Sequence, residues 1–183
     1  MAGEIAAPEE VRKFWREAGP KRWYKVDPAF DDTIRARFLA TWEAVRAGRL
    51  AAWEETPEDA LALLLVLDQF PRNMFRGDAR SFATDALART VAGRAIERKF
   101  DQAFAPPERN FFYLPYMHSE ALTDQERAVA LMQAIGDAEG VKHAEAHRDL
   151  IRRFGRFPFR NQALGRTSTA AEAEYLAAGG YRV

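Results

Sequence analysis

Four segments gather the side chains able to do chemistry. The first, Leu67-Asp-Gln-Phe-Pro-Arg-Asn-Met-Phe-Arg-Gly77, places polar residues directly after an apolar run. Asp68 therefore starts in poor solvent, and a carboxylate there demands a cation or donors, because its isolated burial costs several kcal/mol. Arg72 and Arg76 follow at helical spacing, within reach if the chain stays helical through Pro71. The bland expectation is an internal Asp–Arg clamp that fixes a helix junction. The sharper one is a ligand-facing group of Asp68, Arg72, Asn73 and Arg76.

The second segment is Tyr116-Met-His-Ser-Glu120. His118 beside Ser119 invites a nucleophile-and-base reading, but adjacent residues of a helix do not face each other. No strained nucleophile elbow surrounds Ser119 either. His118 and Glu120 are expected instead to meet groups from other helices, with a histidine in a buried network as the plainest outcome. The third is His143-Ala-Glu-Ala-His147, whose spacing of four sets both imidazoles on one face in the manner of zinc helices. Glu145, however, sits two residues from each histidine and points away, so the metalloprotease pattern is not met. The same face runs on through Leu150 and Phe154, so the histidines are expected to pack inward, without a resident metal.

The fourth segment, Arg148 to Arg166, holds Arg148, Arg152, Arg153, Arg156, Arg160 and Arg166 against Asp149 alone, with Phe154, Phe157 and Phe159 interleaved. A planar guanidinium fork recognises phosphate or carboxylate through two bonds at once. The plain alternative is that these arginines pair with Glu and Asp on neighbouring helices.

The elements that must position these groups are helical. Across 183 residues, 34 Ala stand against 13 Val plus Ile, and no alternating strand pattern appears. Pro8, Asp27-Pro28, Thr56-Pro57, Thr123 with Glu126, and Thr169 with Glu172 mark helix starts; Gly19-Pro20, Gly48, Gly155 and Gly179-Gly180 mark ends. A further helix is expected from Gly77-Asp78, with Phe82, Ala86, Ala92, Ile96 and Phe100 inward. Ala60 to Leu67 is apolar on every side, which belongs at a centre. The length predicts a single domain over 1–183, all-α, built of antiparallel helix pairs around one buried central helix. The absence of cysteine removes disulfides and thiolate chemistry. Lys+Arg 27 balance Asp+Glu 27, which argues against binding nucleic acid or membrane by bulk charge. With no leader-like start and no apolar run of the ~20 residues a membrane helix needs, a cytoplasmic protein is the expectation.

Taken together, Asp68-Gln-Phe-Pro-Arg-Asn73 with Phe75-Arg-Gly77, Phe111-Phe-Tyr-Leu-Pro-Tyr-Met-His-Ser-Glu120, and His147-Arg-Asp149 followed by Arg153-Phe-Gly-Arg-Phe-Pro158 and Arg160-Asn161 resemble one family. It is a largely bacterial family of unknown function, domain of unknown function 924. Phe14-Trp15, Trp23 and Phe30-Asp31 match it too, so the resemblance covers nearly the whole chain. It implies a tetratricopeptide-like superhelix, no established activity, and convergence of the four segments on one groove. The family commonly carries His before the Arg-Asn, where this chain has Phe159, so no proton-transfer or metal role is expected at that position.

Three functions follow as expectations. A binding protein would hold a small anionic ligand or an acidic peptide with Arg72, Arg76, Arg152, Arg156 and Arg160 as donors, and with His118, His147 and Asn161 orienting it. No cofactor is expected. The alternative is an enzyme, a hydrolase or lyase using Asp68 or Glu120 with His118 or His147 as acid and base. The third is a protein- or RNA-contacting scaffold built on the Arg–Phe segment.

Overall fold

A computed structural model describes residues 3–180, and every regular element among them is helical. They gather into two compact units, one of residues up to Arg76 with Arg80–Pro115, the other of Gly77–Ala79 with residues from Tyr116 on. No helix among the described residues is long and apolar enough to cross a membrane.

In the first unit, helix α1 (Pro8–Ala18) starts at a proline and stops at Gly19, and a short α2 (Pro20–Trp23) follows. Helix α3 (Pro28–Arg46) is capped by the Asp27 carboxylate, which accepts from the Phe30 N–H at 3.2 Å. Helix α4 (Pro57–Leu64) is capped in the same way by Thr56. A π-helical turn, Leu65–Gln69, joins α4 to α5 (Phe70–Met74), so the chain stays helical through Pro71. Every residue from Ala60 to Pro71 is buried, as the all-round apolar run requires. Around it Phe14, Trp15, Phe30, Phe38 and Phe70 pack ring against ring, with Phe38 and Phe70 centred 4.7 Å apart. No regular helix starts at Gly77-Asp78. A 3-10 turn (Ala79–Phe82) comes first, and α6 spans Asp85–Glu97 with Ala88, Val91, Ala92 and Ala95 buried. Ala86, expected inside, is exposed, while Ala92 is buried as expected. Helix α7 (Leu114–Met117) carries the chain from the first unit to the second.

The second unit is built on a hairpin of α8 (Leu122–Ala134) and α9 (Ala138–Phe154). Its turn uses Gly136 at φ 70° and Asp137, whose carboxylate caps α9 at the Gly140 N–H. Gly140 lets α9 pass close to α8: a Cβ there would sit 2.8 Å from Met132 Sδ. Contrary to the expected Thr123–Glu126 capping box, α8 starts at Leu122 with Ala121 as its cap residue. The turn is held instead by Ser119, whose hydroxyl donates to Asp124 at 2.6 Å and accepts from the Ala121 N–H. The capping box at Thr169 and Glu172 does form and opens α10 (Ala170–Ala177). Tyr175 of that helix packs on Phe154 with ring centres 5.2 Å apart.

Candidate functional site

In the first unit the expected ligand group is an internal ion-pair network. Asp68, in the π-turn and 1% exposed, lies 3.4 Å from the Arg72 guanidinium. Its Oδ2 accepts from Gln69 at 2.6 Å. Arg72 spends both terminal nitrogens on Asp85, at 3.1 and 3.0 Å. Burial works to lower the Arg72 pKa, but the two carboxylates outweigh it and raise it further. Arg76 and Asn73 converge on Asp31: Arg76 donates at 2.5 and 3.1 Å, Asn73 at 2.8 Å. Asp85 carries no local signal in the sequence, since nothing in its spacing ties it to Arg72.

The second unit brings His147 and Arg160 to the ring of Phe157, with His118 beside His147. His147 projects from the buried side of α9, and its ring meets that of Phe157 edge-on at 5.6 Å. His118 follows α7, and its ring centre is 6.2 Å from that of His147. Arg160, in a 3-10 turn (Pro158–Arg160), lays its guanidinium over Phe157 at 4.6 Å and over Phe159 at 5.9 Å. His118 is 4% exposed, His147 2%, Phe157 0% and Arg160 6%. Burial pushes the His147 pKa down to about 3, with His118 and Arg160 adding positive potential and the His143 carbonyl opposing.

Two clamps hold this cluster in place. Gln125, fully buried on α8, donates to the carbonyls of Met117 and Ser119 at 2.6 Å each, on either side of His118. Glu120 accepts from the Phe157 N–H at 2.8 Å and from Arg166 at 2.8 and 3.0 Å, while Arg166 also donates to the Phe157 carbonyl at 3.1 Å. The peptide flanking the central ring is thus gripped from both sides. Burial works against the Glu120 charge, but Arg166 and the Phe157 N–H outweigh it and hold the pKa below its ordinary value.

The remaining expected donors engage carboxylates. Arg156 forms a two-pronged pair with Glu172 at 2.6 and 2.8 Å, and Asn161 donates to Glu172 and to Ser168. Arg156 lowers the Glu172 pKa to about 2, with burial opposing and the Thr169 N–H assisting. Arg152 makes an exposed pair with Glu126. His143 is exposed while His147 is buried, so the expected inward-facing pair is split across the edge of the buried stripe. Among the described residues, no three His, Asp or Glu side chains group so that they could hold a metal ion. A surface groove of about 780 Å³ in the first unit, lined by Glu10, Asp32, Arg35, Arg37 and Glu43 among others, includes none of the expected site residues.

An all-helical chain carrying these motifs in this order is of a class known from bacteria. The family described as bacterial protein of unknown function (DUF924) matches residues 11–180, and this chain belongs to that family. The fold is similar to the solved structure of the protein of unknown function ATU0120 from Agrobacterium tumefaciens. That likeness has a TM-score of 0.91 at 46% sequence identity, covering 94% of this chain and 97% of the other. No curated protein matches the chain.

Proposed function

We propose that the chain binds a small anionic ligand, or the carboxylate of an acidic peptide, at the cluster of His118, His147 and Arg160. One observation carries this reading: the buried ring of Phe157 is shared by the His147 imidazole and the Arg160 guanidinium, with the His118 ring centred 6.2 Å from that of His147. A guanidinium held on an aromatic face offers a planar fork of donors suited to phosphate or carboxylate. Burial is the largest cause of the depressed His147 pKa, and His118 and Arg160 add positive potential that an anion would relieve. Arg72, Arg76, Arg152 and Arg156 pair with carboxylates of the chain, and we give them structural roles; the ligand-facing role goes to Arg160 because its guanidinium lies on the Phe157 ring that His147 also meets. The tetratricopeptide-like superhelix belongs to the same proposal, supported by the α8–α9 hairpin as a unit of the kind such folds stack.

Acid–base catalysis in this cluster has weaker support. His147 would have to accept a proton near neutral pH, which its burial beside His118 and Arg160 opposes. Glu120 is occupied with Arg166 and Phe157.

Calorimetric titration of untagged protein, purified without phosphate, with inorganic phosphate and with acetate tests the proposal. At least one of the two should bind saturably, and Arg160→Gln, checked for intact helicity, should weaken it roughly tenfold or more. Absence of binding, or equal binding by the variant, refutes it.

A further inference from the structure

We infer that the groove along α3 in the first unit is a second binding site, for a basic α-amino acid of the lysine or arginine kind. It is independent of the anion-binding reading above and shares no residue with it.

The groove runs between α3 and the extended residues 3–7 that precede α1. That segment crosses the helix at Ala40 and Thr41. A Cβ on Gly3 would lie 3.1 Å from that of Ala40, and the Ala6 N–H donates to the Thr41 hydroxyl at 2.9 Å. The volume of about 780 Å³ falls within the roughly 300–1,000 Å³ usual for small-molecule sites. Ala36, Leu39 and Ala40 supply an apolar stretch of its lining.

Six charged side chains line the groove, and three of them are matched within the chain. Asp32 accepts from Arg35 at 2.5 Å, Arg35 also donates to the Met74 carbonyl, and Glu10 accepts from the Ala7 N–H at 2.9 Å. Arg37, Glu4 and Glu43 make no ion pair or side-chain hydrogen bond among the described residues. Arg37 is nonetheless held in place, since its guanidinium lies over the rings of Phe14 and Phe38, at 4.9 and 5.0 Å. Stacking uses the faces of the planar fork and leaves its N–H edge for a carboxylate.

The order of these three charges selects the ligand. Glu43 follows Arg37 by six residues, a rise of about 9 Å along α3. Glu4 belongs to the segment that crosses the helix between them. The groove therefore reads plus, minus, minus. A basic amino acid reads minus, plus, plus. Its carboxylate meets the Arg37 fork, its α-ammonium Glu4 and its side-chain cation Glu43, while its methylenes lie against Leu39 and Ala40. A diamine would leave Arg37 unmatched, and an amino acid with an apolar side chain would leave Glu43 unmatched.

Calorimetric titration of the wild-type protein near neutral pH tests this with three probes: lysine, cadaverine, which lacks the carboxylate, and norleucine, which lacks the side-chain ammonium. Lysine should bind saturably, and each analogue should bind roughly tenfold or more weakly. Arg37→Gln should abolish the preference for lysine over cadaverine, and Glu43→Gln the preference over norleucine, each with helicity checked by circular dichroism. The comparison of the three probes on wild type stands whether or not a variant folds. Lysine that does not bind, an analogue that binds as tightly, or a folded variant that keeps the wild-type preference overturns the inference. Each of those results leaves the reading of the Phe157 cluster untouched.

Discussion

Acidification from about pH 7.5 to about pH 5 should destabilise the protein through His147 by about 2 kcal/mol. The imidazole has an ordinary value of 6.5 and is pushed down to about 3 by burial, His118 and Arg160. Below its ordinary value the unfolded chain takes up a proton at residue 147 and the folded chain does not. Stability is therefore full above that value and is lost progressively as pH falls towards the folded value. For a chain of this size the loss corresponds to a melting temperature lower by about 4–8 °C. Urea denaturation of wild type and of His147→Asn across this range isolates the effect. The variant keeps an amide N–H towards the His143 carbonyl and lacks a titrating group. It should be less stable at neutral pH, yet its stability should fall less on acidification, by about 2 kcal/mol. Glu172 acts in the same direction, but its unfolded carboxyl starts to fill only near the lower end of the range. Parallel pH profiles for the two proteins would refute the account of a buried neutral imidazole.

Two further substitutions probe the clamps. Arg72→Lys should cost about 2 kcal/mol in urea denaturation, since an ammonium cannot span Asp85 at two points while facing Asp68. Arg72→Met should cost about 3–5 kcal/mol, because it strands both carboxylates. Glu172→Gln should speed amide exchange over Ala170–Ala177 by roughly tenfold while leaving the α8–α9 hairpin protected. The wild-type helix should loosen likewise as pH falls from the ordinary glutamate value of 4.5 towards about 2.

Local chemistry explains which parts of this arrangement can be read from the chain. Asp27-Pro28, Thr56-Pro57, Thr169 with Glu172, and Gly155 fix helix ends through contacts within a few residues, and those ends stand where the sequence puts them. Burial of Ala60–Leu67 follows because an all-round apolar helix has no polar face to show solvent. Thr123 fails as a cap because Ser119 and Asp124 satisfy that turn first. Partner choice is the part that spacing conceals. Arg72 finds Asp85, Arg76 finds Asp31, and Arg156 finds Glu172 only once tertiary packing has brought distant segments together. The histidine pair shows the same limit: spacing sets His143 and His147 on one side of α9, but the width of the stripe covered in the fold buries only His147. Phe157, the ring that unites the candidate site, reads in the sequence as one aromatic among several.

Anion binding at this ring is tested most directly by following the imidazole resonances of His118 and His147 during titration with inorganic phosphate and then glycolate. Saturable shifts of both rings in the wild type, with weaker response in Arg160→Gln, are the predicted result. Resonances that stay fixed through both titrations would contradict the assignment.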